Sequence, residues 1–391
     1  MKTCACIVHR NKQSKEVIEE AFAERIQSQD HFCCDVGFKV FTVSSKEFRD
    51  PDKLSDAELT EIPALRELLR DLNASFPERR EEEYIKEAEG VLSLIQGSKC
   101  DSHTDAEMKN TKRQAYRKLK ETLTANLSEA LRGLRGKYNA LENCLSQAAK
   151  ESEANCLQNA EKKVIDPTDR EKASGYHKTL RAMCVKGGVT ISKNNGKVTD
   201  LNAVLVSHME QKVNQTFKDV FERRSSRQTQ SVAAILQKFD LTSRITKEFK
   251  HPVTLILTFI ATQQDKRKTA LDKDITQMRK EIYICLRDTI ESAMDPVYRE
   301  AASHTGPGSY TEMQEVLREG IRKLKSTMFT QAMLNALEKF DNMEDHIEKT
   351  LKELQDIAAK ALSQKHSMPL PDVSDEMKMM KTLRAERKRR P

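Results

Sequence analysis

Between residues 119 and 145, Leu119, Leu123, Leu127, Leu131, Leu134, Tyr138, Leu141 and Leu145 recur at steps of three and four, with Lys, Glu, Arg and Asn between them. Side chains at that spacing share one face of an α-helix, so about seven turns present a continuous apolar stripe. A lone helix cannot keep such a stripe in water and must bury it against partners. Similar stripes run through Leu271, Ile275, Met278, Ile282 and Leu286, and through Leu317, Ile321, Leu324, Met328, Leu334, Leu337 and Phe340. The last continues by way of Ile347, Leu351 and Leu354 toward Leu362. The expected fold is mainly α, an elongated helical bundle or stalk. Because steps of three and four alternate irregularly, bundle packing is favoured over a long two-stranded coiled coil.

Composition bears on what else the chain can be. Of 391 residues, 32% are charged, only 12 are Gly and 10 are Pro, and Trp is absent. Long unbranched side chains keep their rotamer freedom in a helix, whereas Gly and Pro interrupt it. Gly-rich sheet sandwiches and a doubly wound nucleotide fold complete within this chain are disfavoured. Disorder is excluded by the plentiful, periodic apolar residues.

The first 81 residues read differently. Val17, Ile18, Ala21, Phe22 and Ile26 mark a helix over Lys15–Ser28. Val36-Gly-Phe-Lys-Val-Phe-Thr-Val-Ser-Ser45 is β-branched and aromatic, and predicts a strand. Pro63 then opens a helix with Leu65, Leu68, Leu69 and Leu72 on one face. This helix, strand and helix read as the small α/β tail of a domain over residues 1–81. Residues 82–366 form the helical region, interrupted near 184–200 by a hairpin or loop with Gly187, Gly188 and an Asn-Gly pair, and at Thr305–Ser309 by a turn. The tail, 367–391, carries Pro369 and Pro371, ends in Arg384-Ala-Glu-Arg-Lys-Arg-Arg390, and is expected to be disordered.

No stretch satisfies GxxxxGK[ST] or GxGxxG, so no backbone phosphate cradle is legible. Asn11-Lys12-Gln13-Ser14 follows an apolar run in the manner of a guanine-reading NKxD loop, but Ser14 stands where the base-binding Asp belongs. Val43-Ser44-Ser45 at a strand end suits either a loop cradling a purine or an ordinary strand exit with Ser as an N-cap. Cys4, Cys6 and His9 with His31, Cys33 and Cys34 offer soft metal ligands, although adjacent cysteines suit a tetrahedral ion poorly. No HExxH or nucleophile elbow is present, and neither a catalytic centre nor a metal is nominated.

The formal charge is +7, from 67 basic and 60 acidic side chains, which by itself does not predict nucleic-acid binding. Nine cysteines without a CxxC pair read as reduced thiols of a cytosolic or nuclear protein. No signal peptide or membrane-spanning run is evident, so the chain is expected to be soluble. The basic run Arg387, Lys388, Arg389 and Arg390 suits nuclear import, a phosphate-binding tail or a solvated end. No aromatic residues interleave with it for base stacking.

Several segments in order resemble the distal half of dynamin-superfamily large GTPases, nearest the nuclear SLIP-GC-like group. They are Lys39-Val-Phe-Thr-Val-Ser-Ser-Lys-Glu-Phe48, Leu59-Thr-Glu-Ile-Pro-Ala-Leu65 and Gly90-Val-Leu-Ser-Leu-Ile-Gln-Gly97. Tyr176-His-Lys-Thr-Leu-Arg-Ala-Met-Cys184 follows, then Gly187-Gly188 and Asp200-Leu-Asn-Ala-Val-Leu205. The resemblance implies that residues 1–81 are the remnant of a GTPase domain, with Ser44, Ser45 and Lys46 at the rim of the guanine pocket. It places Asn11-Lys12 in the helix before that strand.

The resemblance further implies that the family's phosphate loop, switches and TKxD loop have no counterpart in this chain, which looks like a fragment. GTP and Mg would serve the full-length parent, and no cofactor is expected for this chain alone. The remaining implications are homo-oligomerisation through the stalk, a nuclear location, and GTP hydrolysis outside this chain. A non-enzymatic helical scaffold that binds partner helices is the alternative, and nucleic-acid contact through the basic tail a weaker one.

Overall fold

A computed structural model describes residues 11–18, 40–43, 60–99, 105–167, 175–191, 198–222, 231–363 and 370–387; the side chains of 71–80, 105 and 106 are outside that description. These residues are mainly α. After a helical stretch over 11–18, α1 spans Ile62–Lys99 and α2 spans Asp105–Ala160, passing into a π-helical turn at Glu161–Ile165. A short helix α3 (Tyr176–Val185) leads to the antiparallel strands β1 (Val189–Ile191) and β2 (Val198–Asp200). Then come α4 (Leu201–Phe221), α5 (Val232–Lys238), α6 (Val253–Ser303), α7 (Ser309–Ser363) and α8 (Ser374–Arg387). Among the described residues, no helix is long and apolar enough to cross a membrane.

The chain forms two compact units, one of residues 1–113, 246–263 and 361–391, the other of 114–245 and 264–360. In the first unit, α1 packs on the first turns of α6 through two glycines. A Cβ on Gly90 would lie 2.9 Å from Thr262 Oγ1, and one on Gly97 would lie 2.9 Å from Ile256 Cγ1. Seven residues apart, the two glycines share a face, and Ile256, Leu257 and Ile260 are wholly buried. The boundary drawn at 81/82 from composition falls inside α1, which runs through it without a break.

Two further features of this unit differ from the sequence reading. Residues 40–43, the described part of the strand expected over Val36–Ser45, belong to no helix or strand. Thr42 instead donates its N–H to Glu61 Oε2 at 2.8 Å, and Glu61 is also paired with Lys15. The tail expected to be disordered contains α8, which lies antiparallel on α1. Asp372 pairs with Lys99, the Ser374 Oγ accepts from Gln96, Arg384 pairs with Glu89, and Arg387 pairs with Glu82. The sequence hid this because α8 is short and has no fully buried side chain, only the half-buried Met377 and Met380, while its ion pairs carry no periodicity.

In the second unit the α2 stripe is buried as its spacing requires: Leu119, Leu134, Leu141 and Leu145 are at most 1% exposed. Phe217 packs against Phe221 in a tilted pair at 4.6 Å and meets Tyr283 edge-on at 5.4 Å, and Tyr138 meets Phe340 edge-on at 6.0 Å. Each fully buried Leu or Phe contributes about 1.5–3 kcal/mol, so this cluster is a principal source of stability. Leu334 departs from its expected place and is 48% exposed, while Ala332 and Ala336 are buried. Two residues from each of these, it points about 200° away around the helix.

Helix ends in this unit are closed by side chains. Ser231 Oγ accepts from Ala234 N–H at the start of α5, and Lys268 donates to Gln237 and Phe239 carbonyls at its end. The carbonyl of Ile165, left open by the π turn, accepts from buried Gln314 at 2.7 Å, and that of Val164 accepts from the Tyr176 hydroxyl.

Candidate functional site

The site begins where α3 ends. Gly187 and Gly188 have φ of 69° and 96°, the left-handed region in which glycine carries no Cβ penalty. Their N–H groups donate to the carbonyls of Cys184 (3.2 Å) and Met183 (2.9 Å), closing the helix. At Gly188 space is limiting as well: a Cβ would lie 2.7 Å from Asn202 Nδ2 and 2.7 Å from Tyr298 Cζ.

Asn202, fully buried at the start of α4, explains that crowding. Its amide donates to the Gly187 carbonyl at 2.9 Å, and its Oδ1 accepts from the Tyr298 hydroxyl of α6 at 2.5 Å. The Leu201 N–H donates to the Gly188 carbonyl at 2.9 Å. The glycine turn, the first turn of α4 and α6 are thus joined by one hydrogen-bonded chain. Burial pushes the Tyr298 phenol far above its ordinary value, so it remains a donor.

Asp200 lies beside this chain. One carboxylate oxygen caps α4 by accepting from Ala203 N–H at 2.8 Å, and the other accepts from Arg287 at 2.5 Å. Nearly three turns along α4, Glu210 is only partly exposed. Burial pushes its carboxyl up to about 7; Arg287 opposes that shift, and the charge of Asp200 adds to it. Tyr283, held by Asn214 at 3.0 Å, is raised by burial and by Glu210.

This constellation ties α3, the hairpin, α4 and α6 together through buried hydrogen bonds. Among the described residues no group of three or more His, Cys, Asp or Glu could hold a metal ion. Burial pushes the thiols of Cys156 and Cys184 up to about 11 and that of Cys285 to about 12, which disfavours their thiolate forms. What the rigid base presents is the hairpin, whose paired Ile191 and Val198 are 60% and 56% exposed.

Ser44, Ser45 and Lys46, expected at a guanine pocket, lie outside the described residues, as do Lys388, Arg389 and Arg390 and the proposed soft ligands Cys4, Cys6, His9, His31, Cys33 and Cys34. Asn11, Lys12, Gln13 and Ser14 are helical. Arg387 belongs to α8 and is ion-paired with Glu82. The resemblance segments Tyr176–Cys184, Gly187-Gly188 and Asp200–Leu205 converge on the site. Tyr298, Arg287 and Glu210 were not singled out, since a polar residue inside a helical stripe carries no local signal of a partner some 90 residues away.

Residues 155–329, which include this site, match a family model described as Domain of unknown function (DUF7605). The chain is similar to the mouse protein named Nuclear GTPase SLIP-GC, 24% identical over 377 residues, covering 88% of this chain and 43% of that protein. The human protein of the same name is 24% identical over 397 residues, covering 96% of this chain and 48% of that protein. The chain therefore spans about half the length of the curated relatives it matches. These similarities bear out the resemblance to SLIP-GC-like proteins. No solved structure matches.

Proposed function

We propose that this chain supplies the helical, self-associating stalk of a nuclear dynamin-like GTPase, and that Ser44, Ser45 and Lys46 border its guanine pocket. On this reading GTP and Mg are bound, and GTP is hydrolysed, by segments that this chain does not contain. One observation carries the reading: the similarity extends over 88–96% of this chain but 43–48% of the nuclear GTPases, and it falls on a chain made of long packed helices.

The test uses the purified chain. Sedimentation across a concentration series should reveal self-association, and GTP should be neither bound at micromolar affinity nor turned over. A strictly monomeric chain would remove the stalk role; robust GTP turnover would remove the division of labour. For location, Ala at Arg387, Lys388, Arg389 and Arg390 should shift a tagged protein toward the cytoplasm, whereas unchanged nuclear accumulation would remove the import role.

The exposed Ile284 and Leu334 of α6 and α7, each 48% accessible, favour a second reading as a non-enzymatic scaffold for partner helices. A scaffold should self-associate or bind partners identically with and without guanine nucleotide in the full-length parent.

A further inference from the structure

The ion pairs that hold α8 on α1 use the residues that the basic run would need for any other partner. Arg384 reaches Glu89 at 3.0 Å and Arg387 reaches Glu82 at 3.7 Å, two carboxylates seven residues apart on one face of α1. On α8 the apolar Met377 and Met380 are half-buried, and Ile85, between Glu82 and Glu89 on α1, is buried. No side chain of the helix is fully buried, and Met379 and Leu383 are 56% and 38% exposed. The firm anchor is at the other end, where Val373 is buried, its N–H meets Gln96 Oε1 at 3.5 Å, and Asp372 pairs with Lys99 at 3.3 Å.

A helix of 14 residues is marginal once detached. Each pair keeps one half-exposed partner, Arg384 or Glu82, so it is open to screening and weakens with salt. The distal half of α8 is therefore hinged at Asp372–Ser374 and held down by these ion pairs together with its half-buried methionines.

We propose that α8 is a detachable strap whose basic edge, Arg384 and Arg387, is a recognition surface for an acidic protein groove, occupied in cis by Glu82 and Glu89 until such a partner displaces them. The cis ligands indicate the partner chemistry. Both are carboxylates presented from a helix, as an acidic protein surface would present them. The run also contains Glu386, which would repel a phosphate backbone, and it has no aromatic side chain for base stacking. Masking lowers the apparent affinity by the fraction of time the strap is open. The inference deepens the proposed nuclear placement and rests on it only for where the partner is met.

The experiment compares the full chain with E82Q/E89Q by hydrogen exchange of the α8 amides and by anisotropy with a fluorescent decaglutamate peptide and a single-stranded oligonucleotide. In the variant, and in the parent at about 0.5 M NaCl, α8 should lose protection while α2 keeps it. Decaglutamate should bind the variant about five- to tenfold more tightly than the parent. The charge-swapped E82R/E89R/R384E/R387E chain should recover protection, which shows that the fold survives the substitutions.

Unchanged α8 protection in E82Q/E89Q would overturn the strap. An opened α8 that binds the oligonucleotide and not decaglutamate would overturn the partner class. If α8 opens and decaglutamate binding rises while a tagged E82Q/E89Q protein keeps the parental distribution between nucleus and cytoplasm, the strap stands and the nuclear placement fails.

Discussion

The Tyr298 hydroxyl donates to Asn202 Oδ1 at 2.5 Å across 96 positions of sequence, and neither residue has any solvent exposure. Removing that hydroxyl leaves a buried amide oxygen without a donor. Tyr298→Phe should cost about 1–3 kcal/mol. Asn202→Ala orphans both the Gly187 carbonyl and the Tyr298 hydroxyl and opens a void, so it should cost more, about 2–4 kcal/mol. Urea unfolding followed by circular dichroism measures both; midpoints within error of the parent would mean that water replaces the missing partners.

Two glycines in long helices should respond oppositely to the same substitution. A Cβ at Gly320 of α7 would lie 2.4 Å from Val297 Cγ1, next to Pro296 of α6, and only a shift of one helix relieves that overlap. Gly320→Ala should destabilise by about 1–3 kcal/mol. Gly136 of α2 has nothing within 4 Å of an added Cβ, so Gly136→Ala should stabilise by about 0.5–1 kcal/mol through helix propensity. Thermal unfolding of the pair checks the contrast, and equal shifts would show that propensity dominates at both.

Legibility of the fold followed the range of the interactions. The stripe from Leu119 to Leu145 could be read because one helix turn repeats its own signal, and it is buried nearly throughout. The helix α8 could not, since Arg384 finds Glu89 across 295 positions and two charges carry no periodicity. At the site, Gly187-Gly188 was visible as a turn, and Asp200 and Asn202 only as part of the resemblance segment Asp200–Leu205. Their shared purpose depends on Tyr298, Arg287 and Asn202 meeting in space, which spacing along the chain does not encode. Leu334 shows the reverse error, where an apolar residue at plausible spacing faces outward because smaller Ala332 and Ala336 fill the packed side.

Glu210 should give the unfolding free energy a pH dependence of definite sign. Its folded value, about 7, lies above the ordinary 4.5, so the folded state holds this proton more tightly than the unfolded chain. The contribution is fully present below about 4.5, declines as pH rises from there to about 7, and is flat beyond. Its size is on the order of 3 kcal/mol. Glu210→Gln should remove that slope and be more stable than the parent at pH 8. Glu151 runs the other way: hydrogen bonds from Lys212, Gln147 and His208 hold it at about 2, so its contribution is lost as pH falls from about 4.5 toward 2. Urea titrations at several pH values separate the two windows; a Glu210→Gln curve parallel to that of the parent between pH 5 and 7 would refute the assignment.

Asp200 couples the cap of α4 to that titration, and two substitutions dissect it. Asp200→Asn keeps an oxygen for the Ala203 N–H but gives up the charge that Arg287 meets at 2.5 Å; Asp200→Ala gives up both. The difference between them should be the cap, about 1 kcal/mol. Either change also removes a negative charge that raises the Glu210 value, and it frees Arg287, which lowers it. Both consequences act in one direction, so the Glu210 midpoint should fall below about 7 in each variant, by similar amounts, although their stabilities differ. Carbon-detected NMR of the Glu210 carboxyl reads the midpoint directly. A midpoint that stays near 7 in Asp200→Asn would leave burial as the sole cause of the shift and uncouple Asp200 from it.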